Sequence, residues 1–164
     1  MLDLRWKAYA AAAAVVALDR LTKAIVESRV SFDATYRVIP GFFEIVRSEN
    51  RGVAFGLFND SSFAWVGALL ALASLAAVVV IAVILWRPAR LDRATLWGLA
   101  LIMGGAAGNL LDRAIAGKVT DFLLFYIGSY QWPAFNAADS AIVIGSGLLL
   151  LDLLRPKRQA ANVS

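Results

Sequence analysis

The stretch AWVGALLALASLAAVVVIAVILW, residues 64–86, decides the fold class of this chain. It is 23 residues long and carries no charge. At 1.5 Å per residue, a helix of this length crosses a hydrocarbon core of roughly 30 Å. A backbone in lipid must also satisfy its own polar groups, which a helix does within a single segment. Residues 64–86 are therefore predicted to form a membrane-spanning helix.

Three further segments are similar in length and apolar character. Residues 94–113 are uncharged as far as Leu111, and residues 133–153 contain only Asp139 before Asp152. Residues 8–26 are apolar through Leu18 and charged thereafter. The expected fold is an all-α membrane protein, a single integral domain over residues 1–164 with four transmembrane helices.

The composition of the 164 residues limits the chemistry that is available. The chain is 60% hydrophobic and 17% charged, whereas a soluble domain is typically about a quarter charged. It contains no Cys and no His. Disulfides, thiol nucleophiles, imidazole bases and thiolate or imidazole metal ligands are therefore excluded. Acid–base chemistry near neutral pH must come from Asp, Glu, Lys or Tyr, and no metal or other cofactor is expected.

Basic residues predict the orientation of the chain in the membrane. Dense basic clusters precede span one, separate spans two and three, and follow span four, at 5–7, 87–93 and 155–158. Four spans place these clusters on one side, which the positive-inside rule makes cytoplasmic. Both termini, including the tail 155–164, are therefore expected inside, with outer loops at 28–63 and 114–132. Because membrane topology explains the bases, no nucleic-acid partner is expected.

The first segment has a second interpretation. Arg5 and Lys7 before an alanine-rich run are also typical of a cleavable signal peptide. The run continues into charged residues without a small-x-small cleavage site, which favours a retained helix.

The two outer loops are expected to differ. Residues 36–39 and 42–47 flank Pro40-Gly41 and predict two short strands around a turn. A small extracytoplasmic β element is therefore expected between helices 1 and 2. The second loop is expected to place Tyr126, Tyr130 and Trp132 at the membrane interface.

Four acidic residues lie where burial is costly: Asp19, Asp112, Asp121 and Asp139. An ionisable residue in a span indicates function by default. With four spans, all four map near the outer ends of their helices. We expect them to meet at one membrane depth, with Asp139 about two turns below the outer end of helix 4.

The four acids differ in their sequence neighbours. Asp19 and Asp112 lie near Lys23 and Arg113, their expected counter-charges. A structural ion pair therefore explains each of these two acids as well as a functional role does. Asp139 has no Lys or Arg within four residues, and Asp121 has an apolar setting. Two weakly compensated carboxylates at one depth can share a proton and act together as base and acid, as in aspartic proteases. The same acids would also serve proton or cation transport.

Polar and small residues accompany the acids at helical spacing. Asn109 precedes Asp112 by three residues, and Asn136 precedes Asp139 by three. Each asparagine can hold its neighbouring carboxylate or a ligand. Gly104 and Gly108 form a G-x-x-x-G pair, for which close helix packing is the favoured interpretation.

Five sequence blocks, taken in order, resemble a known family. They resemble the motifs of the bacterial lipoprotein signal peptidases, also called signal peptidase II, and the resemblance runs from about residue 15 to 145. Arg51 and Val53 depart from residues common in the family, but the acid positions are unaffected. The blocks are DRLTK (19–23), NRGVAFG (50–56), GGAAGNLLDR (104–113), VTDF (119–122) and FNAADS (135–140).

The resemblance implies a membrane-embedded aspartic endopeptidase of the bacterial cytoplasmic (inner) membrane, with its active site facing the outer side. It would remove signal peptides from prolipoproteins by cleaving before a diacylglyceryl-modified cysteine. Asp121 and Asp139 would be catalytic, and residues 50–56 would clamp the peptide. Lipid-modified prolipoproteins and membrane lipids are the implied partners, and a monomer is expected. The implied supporting residues are Asp19, Lys23, Asn50, Gly52, Asn109, Asp112, Arg113 and Asn136.

Three rival functions remain open from the residues. A proton-coupled transporter would use Asp19, Asp112 and Asp139 as a relay, although the acids cluster at one face of the membrane. A non-catalytic scaffold would use the G-x-x-x-G contacts but leaves the convergence of acids unexplained. A lipid phosphatase or acyltransferase would lack the histidine that is usual for such chemistry.

Overall fold

Four helices account for most of the chain. The computed structural model describes residues 3–52, 64–87 and 91–155. Three of the described helices are long and apolar enough to cross a membrane: Trp65–Leu85, Arg93–Ala116 and Ala137–Leu154. This agrees with the predicted second, third and fourth spans and gives a mostly helical, membrane-type fold. The helices are α1 (Leu4–Arg29), α2 (Ala64–Leu85), α3 (Arg93–Ala116) and α4 (Ala137–Leu154).

The helix ends depart from the predicted boundaries for local reasons. Helix α1 begins at Leu4, where the Asp3 side chain accepts a hydrogen bond from the Arg5 backbone N–H. Helix α3 runs to Ala116 and ends at Gly117, whose φ of 68° suits glycine. Helices α1 and α3 are therefore longer than the segments predicted for them.

Helix α4 begins at Ala137 rather than near residue 133. The Asn136 side chain accepts from the Asp139 backbone N–H, and the Asp139 carboxylate accepts from the Asn136 backbone N–H. This reciprocal capping box fixes the start of the helix. Asp139 therefore lies in the first turn, and its predicted position two turns deeper was wrong.

The segment between α1 and α2 and the segment between α3 and α4 together form an antiparallel four-stranded sheet. Its strands lie in the order β1 (Tyr36–Ile39), β2 (Phe43–Asn50), β3 (Val119–Ile127) and β4 (Tyr130–Gln131). The predicted turn is present, with Gly41 at a φ of 72°. The β element is not confined to the segment between helices 1 and 2, however, and an all-α description is wrong. Residues 119–127 form a central strand because their apolar run packs against β2 and the helices.

Helix α3 lies between the other helices and packs closely against them. A Cβ on Gly104 would stand 2.7 Å from the carbonyl oxygen of Ala12 in α1, and one on Gly105 would overlap the carbonyl oxygen of Ala138 in α4. The glycines therefore allow α1 and α4 to approach both sides of α3, as the packing interpretation predicted. By contrast, α2 leaves many large apolar side chains exposed, such as Leu72 and Val83.

Candidate active site

Buried polar side chains meet where α1, α3 and the start of α4 approach β3. Six of them are at most 6% exposed, although the surrounding helices are largely apolar. Polar groups at this burial are stable only with partners. The structure thus brings the sequence-predicted residues of separate segments together. The six are Asp19, Lys23, Asn109, Asp112, Asp121 and Asn136.

Lys23 is the centre of an ion network between α1 and α3. Its ammonium donates to Asp19 Oδ2 at 2.7 Å, to Asp112 Oδ2 at 2.5 Å and to Asn109 Oδ1 at 3.1 Å. All three donor positions of the fully buried ammonium are therefore used. Lys23 thus holds two of the four acids and one of the asparagines.

The second cation on Asp112 is one that the sequence reasoning missed. Arg20 Nη1 pairs with Asp112 Oδ1. Arg113, the expected counter-charge, instead donates to the carbonyl oxygen of Asn109 at 3.3 Å. That expectation was wrong because Arg20 and Lys23, three residues apart on α1, approach Asp112 together. Their i, i+3 spacing was the available signal.

Asp19 connects the ion network to α4. Its Oδ1 accepts from the Ala138 backbone N–H at 3.0 Å, in the first turn of α4, where the helix dipole favours a negative charge. A Cβ on Gly108 would stand 2.7 Å from Asp19 Oδ2. The absence of a side chain at Gly108 therefore makes the room that the Asp19 carboxylate occupies.

Asp121 lies on β3, between two asparagines. Asn136 Nδ2 donates to Asp121 Oδ1 at 2.7 Å, and Asn50 Nδ2 donates to Oδ2 at 3.3 Å. Asp121 pairs with Ser48 on β2, and directly paired residues have their side chains on the same face of the sheet. Asn50 lies two residues beyond Ser48, so its side chain is on the same face as that of Asp121. Gly52 is buried, and its backbone N–H donates to Asn50 Oδ1 at 3.1 Å, which orients the amide.

Asp139 is held by the same asparagine and by one more. Asn109 Nδ2 donates to Asp139 Oδ1 at 2.8 Å, and the Asn136 backbone N–H donates to Oδ2 at 3.2 Å. Asn136 also donates to Asn109 Oδ1 at 3.2 Å. Asn136 therefore contacts both carboxylates, Asp121 and Asp139, and places them side by side.

The two carboxylates differ electrostatically from Asp19 and Asp112. Within residues 3–52, 64–87 and 91–155, neither Asp121 nor Asp139 forms a salt bridge. Burial, together with the charge of Asp139, raises the pKa of Asp121 to about 6. Two adjacent carboxyl groups of this kind can hold one proton between them at neutral pH. Such a pair can remove a proton from one group and donate a proton to another.

Other predicted residues lie at the edge of this arrangement. Lys118, the base nearest to Asp121 in sequence, pairs with Glu49 at 2.6 Å. Thr120 donates to Glu27 Oε1 at 2.6 Å, which fastens β3 to the end of α1 and was not predicted. Arg113 is half-buried in the last turn of α3. The predicted clamp at 50–56 lies outside the described residues beyond Gly52, as does the tail beyond Arg155.

The fold and the site define a membrane-embedded enzyme with a buried polar centre that several segments of the chain build together. The model of the family described as signal peptidase (SPase) II matches residues 11–155. A lipoprotein signal peptidase of Solibacter usitatus is 65% identical and covers 100% of both chains. One of Oleidesulfovibrio alaskensis is 43% identical over 91% of this chain and 95% of its own. The chain belongs to the signal peptidase II family.

Solved structures agree in fold with this assignment. One, described as a bacterial membrane enzyme, is 26% identical and superposes with a TM-score of 0.82, covering 96% of this chain and 94% of its own. A second with the same description is 28% identical and has a TM-score of 0.78, covering 91% and 93%. The similarity extends over nearly the whole chain.

Proposed function

We propose that the protein is an aspartic endopeptidase that removes signal peptides from prolipoproteins, with Asp121 and Asp139 as its catalytic residues. The observation that carries this proposal is that Asn136 donates a hydrogen bond to both carboxylates, while neither forms a salt bridge within the part of the chain that the structure describes. The buried carboxylates Asp19 and Asp112 are instead paired with Lys23. Membership of the signal peptidase II family supports the same assignment.

The chemistry follows from one shared proton. The ionised carboxylate removes a proton from a water molecule, whose oxygen attacks the scissile carbonyl carbon. The protonated carboxyl group donates a hydrogen bond to the carbonyl oxygen, which becomes the oxyanion of the tetrahedral intermediate. As the C–N bond breaks, a carboxyl group delivers its proton to the leaving amine. Two acids complete hydrolysis without a side-chain nucleophile, and a pKa of about 6 keeps Asp121 near the required balance.

The remaining polar residues are proposed to hold this pair. Asn50, Asn109 and Asn136 orient the carboxylates through amide donors, and Gly52 orients Asn50. The ion network fixes the helices that carry them. Arg113 is proposed to line the site on the α3 side. The supporting set is Asp19, Lys23, Asn50, Gly52, Asn109, Asp112, Arg113 and Asn136.

We propose a topology with four spans, in which α1 crosses the membrane in addition to α2, α3 and α4. Along α1, the charged Asp19 and Lys23 are fully buried, whereas Leu18, Leu21 and Ile25 are 46–59% exposed. A helix in lipid typically directs its apolar side chains toward the lipid and its charged side chains toward the protein interior. At 26 residues, α1 is about 39 Å long, enough to span the core. Cytoplasmic termini in the inner membrane place the site at the outer side.

The proposed substrate is a prolipoprotein with a diacylglyceryl-modified cysteine, cleaved just before that residue. The names of the relatives support a lipoprotein substrate. Acyl chains in the bilayer would hold the cleavage point at the depth of the site, and cleavage by a monomer is proposed. A lipid-anchored substrate also explains why the hydrolytic centre lies beside apolar helices.

The decisive experiment uses purified full-length protein in lipid with a lipidated precursor peptide and its unlipidated twin. We expect cleavage of the lipidated peptide alone, before the modified cysteine. Asp121→Asn and Asp139→Asn should each abolish cleavage while the protein still inserts and unfolds cooperatively. Asp152→Asn is a matched control, because Asp152 contacts Thr95 away from the site. Full activity of either site variant would refute the assignment of the pair, and proton flux in liposomes would favour a transporter.

A further inference from the structure

We propose that Arg20 is a positioning residue of the active site, which neutralises Asp112 from α1 and so leaves Arg113 facing the Asp121–Asp139 pair. The inference rests on the proposed function, in which that pair performs the hydrolysis. Arg20 itself contacts neither carboxylate of the pair. Its influence would pass through the two neighbouring residues of α3.

The first observation is that both oxygens of Asp112 already have a cation. Arg20 occupies Oδ1, and Lys23 occupies Oδ2 at 2.5 Å. Asp112 and Lys23 are almost completely buried, at 4% and 0% exposed, whereas the Arg20 side chain is 40% exposed. Arg20 therefore reaches Asp112 from the margin of the network and completes its coordination.

The second observation concerns Arg113, the residue that follows Asp112. In the described part of the chain Arg113 forms no salt bridge, and its buried Nε has no hydrogen-bond partner. Arg113 donates instead to the carbonyl oxygen of Asn109 at 3.3 Å, and the Asn109 amide in turn donates to Asp139 at 2.8 Å. A guanidinium with a free buried donor would turn to any unpaired carboxylate nearby. Because Arg20 and Lys23 already neutralise Asp112, Arg113 stays directed toward the pair.

The third observation is the charge balance of the groups that face each other here. Three cations stand against four carboxylates. With one proton shared in the pair, the charges sum to zero, and without Arg20 one negative charge would remain uncompensated. An uncompensated negative charge, or the turning of Arg113 toward Asp112, makes the pair hold its proton more tightly. The groups are Asp19, Arg20 and Lys23 from α1, Asp112 and Arg113 from α3, Asp121 from β3 and Asp139 from α4.

The test measures kcat/KM for the lipidated precursor peptide from pH 5 to 9 in full-length variants. Arg20→Gln keeps a hydrogen-bonding side chain but removes the charge. The acid limb is the low-pH side of this profile, where cleavage falls as the pair becomes fully protonated. We expect the acid limb of Arg20→Gln to lie about one pH unit higher, so that kcat/KM falls about tenfold on that limb and is near normal at pH 9. Arg20→Lys keeps the charge and should keep most of the normal profile. Arg29→Gln, an exposed change on the same helix, should leave the profile unchanged.

A double variant separates positioning from simple stability. In an Asp112→Asn background, no carboxylate remains to draw Arg113 away, so Arg20→Gln should shift the acid limb by much less. The proposal would be overturned if Arg20→Gln lowered kcat/KM equally at every pH and also lowered the Tm. It would equally be overturned if the pH profile of Arg20→Gln were unchanged, or if Arg20→Gln produced its full shift in the Asp112→Asn background. Failure of the proposed function would be visible separately, as cleavage retained by Asp121→Asn or Asp139→Asn.

Discussion

Replacement of Asn136 by aspartate tests how the proposed catalytic pair, Asp121 and Asp139, is held. The Asn136 amide donates to Asp121 Oδ1 at 2.7 Å, and its oxygen accepts from the Asp139 backbone N–H at 3.0 Å. Aspartate has nearly the same shape and is an equally good N-cap, so α4 should still begin at Ala137. Only the amide donor is lost, and a third carboxylate takes its place beside the pair.

The size of the effect follows from that lost donor. A hydrogen bond to a charged group contributes about 1.5–3 kcal/mol, and one pKa unit corresponds to about 1.4 kcal/mol. The Asn136 bond lowers the pKa of Asp121, which is about 6, so its loss raises that pKa by about one to two units. At pH 7 the ionised fraction of Asp121 would fall from about nine-tenths to between about a half and a tenth. The new carboxylate acts in the same direction.

The assay is the pH dependence of kcat/KM for lipidated peptide cleavage, with Tm measured on the same preparations. We expect the acid limb of Asn136→Asp at least one pH unit above that of the unsubstituted protein, and this limb belongs to the coupled pair. Asn50→Ala is the graded comparison, because its bond is longer, at 3.3 Å, and only partly buried. Its shift should have the same sign and be smaller. An Asn136→Asp limb at the original pH or below it would refute the reasoning.

Three further predictions use other features of the site. The pKa of Asp121 is raised from 3.8 to about 6, so its ionised form destabilises the fold. Asp121→Asn should therefore be more stable by up to about 3 kcal/mol at pH 8, with the difference lost below pH 4, as thermal unfolding across pH will check. Gly108→Ala should displace the Asp19 carboxylate and lower kcat more than tenfold, whereas Gly147→Ala, where a Cβ meets nothing within 4 Å, should not. Cleavage should persist in excess chelator, and loss that a divalent ion restores would contradict the two-carboxylate mechanism.

The sequence predicted the helices better than the sheet, for a physical reason. An uncharged run the length of residues 64–86 has few alternatives to a membrane helix, because lipid offers no partner for its backbone. By contrast, β3 (Val119–Ile127) is nearly continuous in its apolar residues and carries no alternation to mark a strand. Its partners on β2 lie 69 (Asn50–Val119) to 82 (Phe43–Phe125) residues away along the chain. Local patterns do not specify such a long-range contact.

The site divides in the same way between what local sequence indicates and what packing decides. The convergence of the acids was predictable, since each is too costly in an apolar helix without partners. The start of α4 was predicted too early, although the sequence carries a local signal for it, the capping-box spacing of Asn136 and Asp139. The identity of the cation on Asp112 was not predictable, because it depends on how α1 is rotated against α3. Neighbours in sequence suggested Arg113, whereas the rotation of α1 brings Arg20.

The division of the carboxylates into cation-paired and amide-held groups follows from what hydrolysis requires. A lysine or arginine on Asp121 or Asp139 would stabilise the ionised form by several pKa units and leave the pair without a proton to donate. An asparagine donor orients a carboxylate through a hydrogen bond without placing a positive charge beside it. Asn50, Asn109 and Asn136 can therefore fix the geometry of the pair without fixing its protonation state. The buried lysine performs a different task in the same polar cluster, where its salt bridges to Asp19 and Asp112, together with the Asp19–Ala138 hydrogen bond, hold α1, α3 and α4 together.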